Sequence, residues 1–189
     1  MNFANKISTS RILSVPFFIA SLIYYSPERD YLRFVALGIF LLGVISDVVD
    51  GFIARRTPHK SPAGLILDPL GDKLLLISSF VCLFLRKDLP LGISFPIWVT
   101  LIVISRDVLI ILGAMVIYIV KQNIDVSPTR WGKLTTTFQM FSVIALLLQW
   151  RFSYILWWLA VFFTVISGID YINRGFKILY ALDNSRNSN

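Results

Sequence analysis

The chain has 189 residues, a formal net charge of +7 and 56% hydrophobic residues, and its mean hydropathy is +0.72. This composition excludes an ordinary soluble domain, whose apolar share is about half even when glycine is counted. Positive charge in so apolar a chain indicates contact with membrane lipids, and we expect no nucleic-acid partner. The length corresponds to one domain, placed at 1–182, followed by a polar tail at 183–189.

Six apolar runs follow one another at 12–25, 31–54, 65–85, 95–120, 134–150 and 154–172. About 20 apolar residues in a helix are enough to cross a bilayer. The pattern therefore predicts an all-α integral membrane protein with six transmembrane helices in a bundle. The segment before the first run predicts an N-terminal interfacial helix.

Two basic loops, at 55–62 and 121–133, share one side with both termini if all six runs cross the bilayer. Cytoplasmic loops carry the excess of Lys and Arg in membrane proteins. We therefore expect a protein of the cytoplasmic (inner) membrane, with both termini and its active site on the cytoplasmic side.

The end of the second run carries two carboxylates at helical spacing. Asp47 and Asp50 are neighbours on one helix face, and Gly51 and Ala54 continue that face with very small side chains. The small residues leave room for a bulky ligand beside the helix. Arg55 follows, and its guanidinium suits a phosphate group.

The start of the third run carries the matching stripe of Gly64, Asp68 and Asp72. Four carboxylates that converge in a low-dielectric site need protonation or a cation. Oxygen ligands without His or Cys favour Mg²⁺, Mn²⁺ or Ca²⁺, and two such ions suit displacement at phosphorus. An ion or proton pathway also gathers intramembrane acids, so an ion-coupled transporter is the alternative of another class.

The complete pattern, DxxDGxxAR followed by eight residues and GxxxDxxxD, resembles the signature of the CDP-alcohol phosphotransferase (CDP-alcohol phosphatidyltransferase) family. The resemblance implies a metal-dependent enzyme of phospholipid biosynthesis with six spans and two Mg²⁺ or Mn²⁺ ions. It also implies a homodimer and CDP-diacylglycerol as the donor, with CMP as the leaving group.

Carried onto the matching positions, the resemblance implies metal ligands at Asp47, Asp50, Asp68 and Asp72. Asp72 would also be the catalytic base that deprotonates the acceptor hydroxyl. The opening "NKISTSRI" is similar to an Asn-x-x-Thr-x-x-Arg pattern of the family and adds two residues to the CDP-binding set. That set is Asp47, Gly51, Ala54, Arg55, Gly64, Ser8 and Arg11.

The acceptor side is expected around Arg106 and Lys133. Within the family the chain most resembles phosphatidylglycerophosphate synthases, which implies glycerol 3-phosphate as the acceptor. "ISRDV" at 104–108 is also similar to cardiolipin synthases, so phosphatidylglycerol is the second choice. Asp107 points about 100° away from Arg106 on a helix and is not an obvious partner for it. A structural pair between Arg106 and a carboxylate is the alternative to an acceptor role. Thr135 stands where related enzymes carry a second Lys, which reduces the expected positive charge of this pocket.

Overall fold

The computed structural model describes the backbone of residues 3–54, 62–121 and 129–187, and the side chains of residues 12–46, 73–113 and 129–175. The helices are α1 (Phe3–Ile23), α2 (Tyr31–Ala54), α3 (Pro62–Leu85), α4 (Ile97–Lys121), α5 (Arg130–Leu147) and α6 (Ser153–Asn187). A 3-10 turn at Pro27–Arg29 lies between α1 and α2. The predicted all-helical fold is confirmed, since these described ranges contain no strand.

Helix α1 differs from the prediction at the N-terminus. The segment expected to be a separate interfacial helix continues into the first apolar run, so that Phe3–Ile23 is one helix with Pro16 inside it. Proline lacks a backbone N–H, but an apolar helix tolerates it when neighbouring groups compensate for the lost hydrogen bond.

The helices form a closed ring in the order α1, α2, α5, α6, α4, α3, and α3 also contacts α5 across the ring. Helix α1 packs extensively against both α2 and α3, which contact each other only slightly. The interior is filled by aromatic and aliphatic side chains; Phe80 and Phe95, for example, stack with ring centroids 4.4 Å apart. The packing brings the aspartate-bearing helices α2 and α3 to the same helix, α1.

Polar side chains join α5 to α6 inside the bundle. Thr135 donates to the Phe163 carbonyl at 2.9 Å, and Gln139 Nε2 lies 3.3 Å from Thr164 Oγ1. Both Thr135 and Gln139 are completely buried. Hydrogen bonds of this kind hold helices together where apolar packing gives little preference for one partner.

The end of the bundle where α1, α3 and α5 terminate is closed by arginine side chains. Arg33 of α2 donates to the Leu147 carbonyl at 2.8 Å, and Arg86 donates to the Ile23 carbonyl. The last carbonyls of a helix have no partner within it and attract cations. These contacts fix the end opposite to the α2–α3 connection.

The outward surface is largely apolar, with exposed side chains such as Phe17, Phe34, Leu42 and Trp158. Among the described side chains, Ser153–Gly175 of α6 is long and apolar enough to cross a membrane. Shorter apolar stretches lie at Ile12–Ile23, Tyr31–Ser46 and Lys73–Leu85. Exposed apolar side chains in such numbers are typical of a surface that contacts lipid or another protein.

Candidate active site

The four aspartates lie on two consecutive helices. Asp47 and Asp50 belong to the last turns of α2, and Asp68 and Asp72 to the first three turns of α3. Both pairs therefore have the predicted helical spacing. Several predicted site residues lie in helices but outside the described side chains: Asp47, Asp50, Gly51, Ala54, Gly64, Asp68, Asp72, Ser8 and Arg11. Arg55 lies outside the described residues altogether.

The chemistry of these residues fits the implied metal. Four carboxylates at helical spacing form an oxygen-only donor set, which suits Mg²⁺ or Mn²⁺. Within the part of the chain whose side chains are described, no three His, Cys, Asp or Glu residues are grouped closely enough to hold a metal ion. Metal ligation by the aspartates of α2 and α3 stays a prediction, because their side chains lie outside the described ones.

A charged cluster next to these aspartates is centred on Asp107 of α4, which is completely buried. Its Oδ1 accepts a hydrogen bond from Lys73 Nζ at 2.5 Å and another from Arg106 Nη1 at 2.8 Å. Lys73 directly follows Asp72 in α3. Asp107 thus connects α3 to the guanidinium that the sequence assigns to the acceptor.

Arg106 is held on its other side by α6. Its Nη2 donates to Ser167 Oγ at 2.6 Å, and Ser167 is completely buried. Gly132 in the first turn of α5 permits this arrangement, because a Cβ there would lie 3.2 Å from Arg106 Nη2. It would also lie 3.1 Å from Thr129 Oγ1, which caps α5 by accepting from the Gly132 N–H. Residues of α4, α5 and α6 therefore surround one guanidinium, and Asp107 links it to α3 through Lys73.

Asp107 pairs with Arg106, although helical spacing does not make it an obvious partner. Their Cβ atoms do point about 100° apart on a helix, but the Arg side chain is long enough to bring Nη1 back to the carboxylate. Burial favours this contact, because an unpaired charge in a low-dielectric interior costs on the order of several kcal/mol. The pair leaves Arg106 Nε and Asp107 Oδ2 buried with no hydrogen-bond partner among the described residues.

Lys133 and Thr135 occupy different surroundings on α5. Lys133 is exposed, one residue from the Gly132–Arg106 contact. Thr135 is buried, and its hydroxyl oxygen lies 2.9 Å from the carbonyl oxygens of both Trp131 and Phe163, which share its one proton. Position 135 of this chain therefore belongs to the α5–α6 contact.

Comparison with known proteins matches residues 1–166 to the family described as CDP-alcohol phosphatidyltransferase. The match covers most of the chain, including both aspartate pairs and Arg106. The helical bundle and its aspartate-bearing helices thus define a membrane-embedded phosphatidyltransferase. The chain belongs to the CDP-alcohol phosphatidyltransferase family.

Three curated relatives are 30% to 32% identical to the chain over the aligned residues. A protein of Mycobacterium tuberculosis (strain H37Rv) named "Probable phosphatidylglycerophosphate synthase" is 30% identical over 93% of this chain and 82% of its own length. The "CDP-diacylglycerol--glycerol-3-phosphate 3-phosphatidyltransferase" of Bacillus subtilis (strain 168) is 30% identical over 94% and 97%. Human "Cardiolipin synthase (CMP-forming)" is 32% identical over 94% and 63%.

Lys73, Asp107 and Ser167 were not predicted to be parts of this cluster. Lys73 had one available signal, since it is a charged residue in an apolar run, directly after an aspartate of the signature. Ser167 had none, because a single Ser in an apolar helix usually bonds to its own backbone. Only the packing of α6 against α4 reveals its contact with Arg106.

Proposed function

We propose that the chain transfers a phosphatidyl group from CDP-diacylglycerol to glycerol 3-phosphate, giving phosphatidylglycerophosphate and CMP. The observation that carries this proposal is the complete aspartate signature on two consecutive helices, in a chain that the family matches over 166 residues. Relatives named for this acceptor, which align with nearly the whole chain, support it.

In the proposed reaction Asp47, Asp50, Asp68 and Asp72 hold the metal. Two Mg²⁺ or Mn²⁺ ions, when bound there, supply charge neutralisation on the diphosphate. Asp72 accepts the proton of the acceptor hydroxyl, whose oxygen attacks the phosphorus that carries the diacylglycerol. The bond from that phosphorus to the CMP oxygen breaks, and CMP leaves with the electron pair.

The remaining residues bind the two substrates. Gly51, Ala54 and Gly64 leave room for the nucleotide, while Asp47, Arg55, Arg11 and Ser8 meet its polar groups. Arg106 and Lys133 bind the phosphate of the acceptor. The buried cluster supports this assignment, because Lys73 and Arg106 carry two positive charges against the one negative charge of Asp107. A phosphate would balance the excess.

We further propose that all six helices cross the cytoplasmic membrane, with both termini and the active site on the cytoplasmic side. The apolar outward surface supports this arrangement. Membrane lipids then surround the bundle, and a second copy completes a homodimer as in the resembled family.

A second acceptor is favoured by one observation. The human cardiolipin synthase aligns with 94% of the chain, and the segment Ser105-Arg106-Asp107 resembles that group of enzymes. Phosphatidylglycerol would then attack in place of glycerol 3-phosphate, and cardiolipin would form.

An acceptor panel tests the proposal. Purified protein in detergent micelles is given CDP-diacylglycerol, Mg²⁺ or Mn²⁺, and either glycerol 3-phosphate, phosphatidylglycerol, glycerol or inositol, and CMP and lipid products are measured. We expect CMP and phosphatidylglycerophosphate with glycerol 3-phosphate. Product with phosphatidylglycerol alone would assign the cardiolipin reaction instead.

A further inference from the structure

Among the described side chains, one ion pair joins two different helices, and it is the pair between Lys73 of α3 and Asp107 of α4. Asp107 is completely buried, and the same oxygen receives Arg106 of its own helix. A single carboxylate oxygen thus fixes an atom of α3 and an atom of the candidate acceptor site. No role in the reaction has been assigned to Lys73 or Asp107 so far.

Stability alone is a weak reason for this arrangement. Buried ion pairs can often be replaced by apolar residues without loss of stability. This cluster places two cations on one anion, and it leaves Arg106 Nε and Asp107 Oδ2 buried without a partner among the described residues. A cluster built only for stability would satisfy these atoms, because each unsatisfied buried group is costly.

The position of Lys73 connects the ion pair to the chemistry. Lys73 is the residue after Asp72 and lies five residues after Asp68 in the continuous helix α3. A helix rotates and slides as one body, so a contact that fixes Lys73 also fixes the depth and rotation of both aspartate positions. Asp107 on α4 is the fixed partner.

The orientation of Arg106 depends on the same carboxylate. Asp107 holds Nη1 at 2.8 Å and Ser167 holds Nη2 at 2.6 Å, so that the guanidinium plane is set by two contacts. Removing either contact frees the guanidinium to rotate. A misplacement of about 1 Å can lower a rate by about 100-fold.

From this geometry we propose that Asp107 and Lys73 are a positioning pair, which holds the aspartates of α3 in register with Arg106 of α4 for phosphatidyl transfer. The inference rests on the proposed function. Neither residue touches the reacting atoms in this account, and both act through their neighbours.

The test compares Asp107→Asn and Lys73→Met with Asp107→Glu, which keeps a carboxylate. The matched control is Asp30→Asn, which breaks an ion pair with Arg33 at the opposite end of the bundle. For each purified variant, kcat and KM are measured for both substrates with Mg²⁺, and Tm is measured in the same detergent.

We expect Asp107→Asn and Lys73→Met to lower kcat/KM for glycerol 3-phosphate by about 100-fold. For Asp107→Asn the loss combines a higher acceptor KM with a lower kcat, while the CDP-diacylglycerol KM stays near the wild-type value. Asp107→Glu is expected to recover most of the activity. Asp30→Asn is expected to lower Tm while leaving kcat/KM unchanged.

Asp107→Asn with wild-type kcat/KM would overturn the positioning role, provided that the wild-type protein is active. If Asp107→Asn does not fold, Lys73→Met decides, because it removes the contact between α3 and α4 and leaves the contact between Asp107 and Arg106 in place. Wild-type kcat/KM in Lys73→Met then overturns the inference, and a lower kcat/KM at an unchanged Tm supports it. Wild-type protein that releases no CMP with any acceptor overturns the proposed function itself, and this inference with it.

Discussion

Gly132 of α5 lies so close to Arg106 of α4 that a Cβ atom on the glycine would be 3.2 Å from Arg106 Nη2. The guanidinium cannot easily move away, because Ser167 holds the same nitrogen at 2.6 Å. The start of α5 and the candidate acceptor site are therefore packed directly against each other.

Gly132→Ala is expected to displace the guanidinium by a few tenths of an ångström and to raise the KM for glycerol 3-phosphate. Gly38→Ala in α2 is the matched control, since a Cβ there meets no atom within 4 Å. Alanine is favoured over glycine in a helix by about 1 kcal/mol, so the control is expected to be fully active and slightly more stable. If the two variants have the same acceptor KM, the close packing of Gly132 does not determine the position of Arg106.

The aspartates are expected to differ in role, because Asp72 is the proposed base as well as a metal ligand. Asp47→Asn should abolish turnover and weaken metal-dependent donor binding, because one metal ligand is lost. Asp72→Asn should lose turnover while it keeps much of the donor binding. The two roles are distinguished by measuring both CMP release and CDP-diacylglycerol binding for each variant at several Mg²⁺ concentrations. Near-normal turnover in Asp72→Asn would exclude Asp72 as the base.

Removal of divalent metal is expected to stop the reaction. Four carboxylates at the end of an apolar bundle need a cation to balance their charge. Treatment with EDTA should reduce CMP release to background, and added Mg²⁺ or Mn²⁺ should restore it. Activity that persists after exhaustive chelation would be inconsistent with metal ligation by these residues.

Thr135 is expected to matter for stability and not for acceptor binding. Thr135→Val removes the hydroxyl proton that the Trp131 and Phe163 carbonyls share. The expected loss is about 1 kcal/mol for one net hydrogen bond, visible as a lower Tm. The acceptor KM should stay at the wild-type value, and a selective increase would show that position 135 contributes to the pocket.

The ion pair at the opposite end predicts a pH dependence. A side-chain hydrogen bond from Arg33 holds the pKa of Asp30 below its usual value of 3.8, and a weaker contact from the Tyr25 hydroxyl at 3.4 Å acts in the same direction. The folded state therefore gains stability from this carboxylate above the unfolded pKa of about 4.

That stability is lost as the pH falls through the lower, folded pKa of Asp30. Wild-type Tm should thus decrease more steeply than the Tm of Asp30→Asn below about pH 4, the unfolded value for Asp. Parallel Tm curves for the two proteins in this range would contradict the assignment. Other acids titrate there too, so only the difference between the curves is informative.

Helix positions could be predicted from the sequence because long apolar runs separated by Pro, Gly and charged residues leave few alternatives. The second run, at 31–54, coincides with α2. Helix α5 begins at Arg130, earlier than the predicted run at 134–150. Thr129 caps the helix at this point, because its side chain accepts a hydrogen bond from the Gly132 N–H. Hydropathy alone does not register such a cap.

The sequence also predicted the aspartate spacing better than it predicted the contacts around Arg106. Aspartate spacing within a helix can be read directly, since neighbours along one face are fixed by the helical repeat. Contacts between helices depend on rotation and depth, so Lys73–Asp107 and Arg106–Ser167 could not be predicted. The Arg106–Asp107 contact was missed because a rule for Cβ directions ignores how far an Arg side chain reaches.

The most direct test of phosphatidyl transfer follows CMP and lipid product together, in purified wild-type protein and in Asp72→Asn. CDP-diacylglycerol and Mg²⁺ are supplied with and without glycerol 3-phosphate. We predict that wild-type protein forms CMP and phosphatidylglycerophosphate in equal amounts only when glycerol 3-phosphate is present, and that Asp72→Asn forms neither. No CMP from correctly folded wild-type protein with any alcohol acceptor would contradict the account.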